Sequence, residues 1–371
     1  MLSKKQWIFL FTGWFFFQML FLFLNRINSL GESDFIATAN SLAAGQWNIE
    51  PNNYLYFGNI LIVLFFRLTH ISYEWIYLVQ LSVGAIAFIC FIRLMQRFFS
   101  NPLSIMVTGL LFSACPFFQS WTVFLSSDSI FANLLIVAVY LLTIPDPSLR
   151  EKKWTLFFLL VMPFFRPVGF LLVGTAIFYW ITNYSGKYLR RIIFFSGYLV
   201  LLSLFCWYCL THAAYFFYPA HNSEASIICG YPSGLTRFIK LPYDPGRSML
   251  HFFISNPEMS WRLMIYRLFS SFWMTRPYYS DKHNLFIAAV LIPYYFFAVT
   301  GIITLWRNKI FLKNAYILFG LMAFVLPNLL FCADWVNRFM LPPLVFIFIL
   351  MAYGIDFTLT TLSRIRDSKK Q

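Results

Sequence analysis

The chain has 371 residues, of which 60% are apolar, 22% aromatic and only 11% charged, against about 25% charged in an average soluble domain. So few charges cannot cover a water-soluble protein of this size, which excludes a soluble enzyme, a disordered chain and a fibrous repeat. The net charge of +14 would suggest nucleic acid in a soluble protein. In a membrane protein the positive-inside rule is the better cause, and no nucleic-acid partner is expected.

Trp7–Leu24 is apolar and follows Lys4 and Lys5, with no small-residue cleavage site after it, so it predicts a retained first span. Further apolar runs are Trp75–Ile92, Leu103–Phe124, Ile130–Ile144, Trp154–Phe165, Val168–Ile181, Ile192–Leu210, Leu285–Trp306, Ala315–Cys332 and Phe339–Phe357. Two short ones meet at Arg166-Pro167 and predict a helical hairpin with its tip sunk in the membrane. Tyr54–Leu68 is apolar but short. Leaving it uncrossed, with the amino terminus inside, gives ten spans and puts 17 of the 28 basic residues on the inner side with four of the 14 acids. Tyr54–Leu68 then reads as a re-entrant or interfacial helix on the outer face. Both termini fall in the cytoplasm, and 25–74 and 211–284 are the two outer segments of a single transmembrane domain covering 1–371. The six cysteines form no CxxC pair, and five of them sit in apolar runs as small hydrophobes.

The outer segments hold the residues that could carry chemistry. Glu32 and Asp34 flank Ser33 ahead of Phe35, Ala39 and Leu42, which recur at helical spacing, and Gly45 is a natural helix stop. Ser33 or Asp34 could be the helix cap, or Asp34 could be a carboxylate held at the membrane surface to accept a proton. Asp128, in Ser126-Ser127-Asp128-Ser129, stands where a span re-enters from outside. It is either a cap, shared with Ser127, or an intramembrane acid with a task. Arg166, at the hairpin tip, has no acid nearby in sequence. It either snorkels to the interface or binds a lipid phosphate. Arg338 opens the last span, four residues after Asp334, its simplest ion-pair partner. Asn256-Pro257 starts a helix in which Trp261, Met264, Ile265 and Leu268 line one side, while Arg262 and Arg267 can reach headgroups. Tyr54, His221 and Arg262 are the loop candidates for contacting donor or acceptor. No nucleotide-binding element and no HExxH motif occurs.

In this order and on one side, the motifs resemble the C-type superfold (GT-C) of membrane glycosyltransferases, in particular its bacterial protein-mannosyltransferase-like branch. The resemblance rests on Asp34 followed by Ala39, Leu42 and Gly45, on Ser127-Asp128, and on Arg166-Pro167-Val168-Gly169. It extends to Asn256-Pro257 with Arg262, and to Arg338-Phe339-Met340-Leu341-Pro342. It implies transfer of a sugar from a polyprenyl-phosphate donor to a glycan, lipid or protein acceptor on the outer face. Arg166 and Arg338 would meet the lipid phosphate, and Asp34 would serve as general base in an inverting reaction, with Glu32 in reserve and Asp128 as a second site acid. No cofactor is required, although the paired acids could hold a divalent cation. A lipid-linked glycan polymerase shares these features. A transporter or flippase should instead show repeated halves or spans broken at the midplane, which this sequence lacks. The only Asn-x-Ser/Thr sequon, Asn183-Tyr184-Ser185, falls inside, and the expected location is the bacterial cytoplasmic (inner) membrane.

Overall fold

The computed structural model describes residues 2–25, 33–46, 53, 56–184, 196, 197, 200, 203, 237–242, 244, 249–276, 279–330 and 338–368. Among the described residues the regular structure is helical. In chain order the principal helices are α1 Lys4–Asn25, α2 Ser33–Ala43, α3 Phe57–Leu68, α4 Ile76–Phe98, α5 Pro102–Ala114 and α6 Ser127–Leu142. They continue with α7 Leu149–Val161, α8 Phe170–Tyr184, α9 Pro257–Trp273, α10 Asp281–Arg307, α11 Phe311–Leu330 and α12 Leu341–Ser368. This is an all-α polytopic membrane protein. Among the described residues, five segments are long and apolar enough to cross a membrane: α1, Tyr73–Phe98, α10, Phe311–Leu329 and Arg338–Ser368.

A sixth candidate is broken. Pro102–Ala114 and Pro116–Val123 meet at 54°, because Pro116 lacks the amide hydrogen that would continue α5 and forces Cys115 into an extended conformation. α6 and α8, of 16 and 15 residues, reach only about 24 Å and about 22 Å, short of a ~30 Å hydrocarbon core. The apolar runs expected to form spans fall largely on helices where they are described, but the described residues hold five long spans and one broken one instead of the ten expected; Ile192–Leu210 lies largely outside the described residues. Tyr54–Leu68 contributes α3, whose 12 residues are too few to span. α2 and α3 bury Phe35, Ala39 and Leu42 against Ile60, Val63 and Phe66, and the same cluster takes in Leu125. Gly45 ends α2 as expected. Its φ is +78°, and the Gly45 and Gln46 amides donate back to the carbonyls of Leu42 and Ser41.

The core is built around α12. It is apolar on all sides from Leu341 to Ile355, and that whole stretch is buried. α5, α6, α10 and α11 pack around it. The Phe112 ring stacks on Phe91 at a centroid distance of 4.5 Å and meets Phe348 edge-on at 5.0 Å. Exposed Phe15, Phe16 and Phe23 on α1, and Leu285, Phe286 and Phe296 on α10, form the outward apolar surface.

The helix ends sort into two sets. At one end Arg97 donates to the Tyr140 carbonyl at 2.7 Å, the Phe98 and Phe99 rings pack against Tyr353, and Tyr353 donates to Asn314 at 3.2 Å. Asn183 reaches the Lys313 carbonyl there at 3.2 Å. This end carries Arg93, Arg97 and Lys313, the basic residues expected inside. The starts of α4, α6, α8 and α12 lie at the other end.

α10 and α12 cross in close backbone contact. A Cβ built on Gly301 would overlap the Leu350 carbonyl, and one on Gly354 would overlap the Phe297 carbonyl. Neither backbone can yield without parting the helices. Gly301→Ala should therefore lower unfolding stability in detergent by about 1–3 kcal/mol. Gly13→Ala, which meets only a Leu110 methyl at 3.3 Å, should cost much less. Equal denaturation midpoints for the two variants would contradict this crossing.

Candidate functional site

At the end opposite Arg97, three distant stretches of chain converge on one carboxylate. The first is the turn into α6. Ser126 is extended (φ −145°, ψ 153°), and its hydroxyl accepts from the Asp128 amide at 3.3 Å. The cap is thus Ser126, not Ser127 or Asp128 as expected from the sequence. With the capping position already filled, the Asp128 carboxylate is available for another partner. That carboxylate is completely buried.

The second stretch is the α7–α8 hairpin. Met162–Phe164 and Pro167–Gly169 are single 3₁₀ turns on either side of an extended Arg166. Gly169 is required here because a Cβ would come within 2.6 Å of the Met162 carbonyl, so Arg-Pro-x-Gly is the sequence of a tip folded tightly on itself. Arg166 is buried, and its Nη1 is ion-paired with Asp128 Oδ1. The acid missing from its sequence neighbourhood therefore comes from 38 residues earlier. That contact corrects the snorkelling alternative.

The third stretch is the 3₁₀ turn Arg338–Met340 ahead of α12. Arg338 Nη1 stands 4.0 Å from Asp128 Oδ2, and its side chain is 25% exposed where that of Arg166 is 4% exposed. Asp334, its expected partner, lies outside the described residues. The Phe339 ring serves both cations, with guanidinium carbons 5.4 Å (Arg166) and 5.2 Å (Arg338) from its centroid. In the sequence Phe339 stands out only as part of the Arg338-Phe339-Met340-Leu341-Pro342 motif.

α2 lies close by. Phe35 in its first turn stacks on Tyr56 at 5.3 Å. Two residues on, Gly58 sits so close to the Phe165 ring, next to Arg166, that a Cβ there would approach it to 3.1 Å. Ser33 and Asp34 are the first two residues of α2. The Asp34 side chain, and all of Glu32, Tyr54 and His221, lie outside the described residues.

α9 divides its arginines differently from the sequence expectation. Arg267 does not reach outward; it is buried and donates to the Leu329 carbonyl at 3.2 Å. Arg262 is exposed, pairs with Glu258 at 3.0 Å and lies over Phe238 at 4.1 Å. Trp261, Ile265, Phe269 and Trp273 recur every four residues on the exposed face. Leu268 turns toward the core. Among the described residues, no three His, Cys, Asp or Glu side chains come together as metal ligands. Chemically, the arrangement is a pair of guanidiniums oriented by one carboxylate, with one of them reaching the surface. That geometry suits an anion with several oxygen acceptors.

No protein-family model and no curated protein sequence matches the chain. Among solved structures it matches the apo crystal structure of ArnT from Cupriavidus metallidurans, at 15% identity and a TM-score of 0.38. The match covers 95% of this chain and 77% of that one.

A buried acid paired with a buried arginine leaves each dependent on the other. Asp128→Asn should destabilise the protein by about 3–5 kcal/mol in detergent unfolding, because it strips Arg166 of its carboxylate. Asp128→Leu combined with Arg166→Met should cost less than the two single losses added together. Simple additivity in that double-mutant cycle would refute the pairing.

Proposed function

We propose that the chain is an integral membrane glycosyltransferase that moves a sugar from a polyprenyl-phosphate-linked donor to an acceptor at the periplasmic face of a bacterial cytoplasmic membrane. The observation that carries the reading is the Asp128–Arg166–Arg338 cluster, at the end of the bundle away from Arg93, Arg97 and Lys313 and beside α2, whose first turn contains Asp34. The positive-inside rule makes the basic end cytoplasmic and this end external.

The chemistry follows from those residues. Breaking the bond between the anomeric carbon and the donor phosphate leaves negative charge on the lipid phosphate. Guanidiniums already oriented by Asp128 stabilise that charge without having to reorganise. Arg338, partly exposed, is the arginine that meets the phosphate, and Arg166 fixes the geometry from below. On the other face of the sugar the acceptor hydroxyl attacks the anomeric carbon. Asp34 takes its proton as the new carbon–oxygen bond forms, so the configuration inverts. The products are the glycosylated acceptor, polyprenyl phosphate and a proton on Asp34. The resemblance of the ordered motifs to GT-C enzymes supports the same reading.

Two substitutions separate the roles. Asp34→Asn should abolish transfer while the protein still inserts and purifies normally; retained activity would remove Asp34 as the base. Arg338→Ala should weaken polyprenyl-phosphate binding about tenfold or more, the worth of a charge-assisted hydrogen bond, as read by native mass spectrometry of protein with titrated lipid. Unchanged binding would remove Arg338 from the phosphate site.

A further inference from the structure

Asp128 is held on its own side of the cluster by a residue that no sequence motif singles out. Gln80, in the first turns of α4, is fully buried. Its Nε2 donates to the Phe124 carbonyl at 2.9 Å and to the Ser126 carbonyl at 3.3 Å. Those are backbone acceptors in the extended strip between the 3₁₀ turn Ser120–Val123 and α6. Ser126 is also the cap whose hydroxyl takes the Asp128 amide. One amide group thus ties α4 to Phe124 and to Ser126, the cap that sets where α6 begins.

Burying an amide among apolar side chains is costly unless its hydrogen bonds are made. A Leu here would pack in α4 with no polar group to satisfy. In the strip it holds, the Phe124 amide donates back to the Trp121 carbonyl at 3.2 Å, but Ser126 is extended, and a small rotation there would carry the Asp128 carboxylate away from both arginines. We infer that Gln80 is a positioning residue for the anion site, fixing Asp128 through the Phe124 and Ser126 carbonyls so that Arg166 and Arg338 present a defined pair of guanidiniums to a phosphate-bearing ligand. This rests on the proposed lipid-phosphate site.

The test compares polyprenyl phosphate with the matched uncharged polyprenol on the full-length protein, by native mass spectrometry. Gln80→Met keeps the volume of the side chain and removes both donations. Its affinity for polyprenyl phosphate should fall about tenfold, the worth of one charge-assisted hydrogen bond, with polyprenol affinity unchanged. In an Arg338→Ala background the same substitution should have little further effect, since it acts through that site. An affinity within twofold of wild type, an equal loss for polyprenol, or full additivity with Arg338→Ala would each overturn the assignment. If wild type itself shows no preference for the phosphate over the alcohol, the lipid-phosphate reading fails and this inference fails with it. If Gln80→Met does not fold, Ser126→Ala removes the cap acceptor of the same strip and is read on the same scale.

Discussion

A carboxylate completely removed from solvent inside a membrane protein must be paired, because leaving it charged and alone costs several kcal/mol. Asp128 is such a group, and the arrangement of this end of the bundle follows from satisfying it. The α7–α8 hairpin has to fold tightly enough to bring Arg166 under it, which is why Gly169 packs on the Met162 backbone. The final helix has to begin with a 3₁₀ turn that brings Arg338 to the second carboxylate oxygen. The strip ahead of α6 has to be extended so that Ser126, and not the acid, caps the helix. A single buried charge therefore couples segments that begin around residues 80, 126, 166 and 338.

That coupling needs a rigid support, and α12 supplies it. A helix buried on every side from Leu341 to Ile355 cannot tilt without disturbing α5, α6, α10 and α11 together. The glycine crossing at Gly301 and Gly354 brings α10 close enough that backbone, and not only side chains, sets the distance between the two helices. Arg338 stands three residues ahead of this support. Asn328 of α11 donates to the Phe339 carbonyl at 3.4 Å, and Arg267 of α9 donates to the neighbouring Leu329 carbonyl at 3.2 Å. The cation nearest the surface is thus held through its backbone by the most buried part of the molecule.

Much of this was legible in the sequence where one physical rule dominates. Apolar length predicted the described spans. Periodicity predicted the buried face Phe35, Ala39 and Leu42, and glycine's freedom at positive φ predicted the end of α2. What local rules could not reveal was pairing across distance. Ser127 and Asp128 looked like caps because each has a capping side chain. Only the path of the chain before α6 decides that Ser126 takes the role. Arg267 looked like a headgroup ligand because arginine beside apolar residues usually snorkels, and only the packing of α9 on α11 turns it inward. Gln80 carried no signal beyond being an amide in an apolar helix.

The cluster also explains why two arginines at one acid are not interchangeable. Arg166 is almost entirely enclosed and in direct contact with Asp128, so withdrawing it to bind a ligand would strand a buried carboxylate. Arg338 is a quarter exposed and sits 4.0 Å away, within Coulombic reach but beyond a hydrogen bond. Toward an incoming phosphate it would offer charge-assisted hydrogen bonds. Asp128 would meanwhile keep its partner. An arrangement with both arginines equally close would lose a buried ion pair at each binding event. Placing one arginine below the acid and the other at its edge would let the proposed site exchange an anion while the fold beneath it stays neutralised.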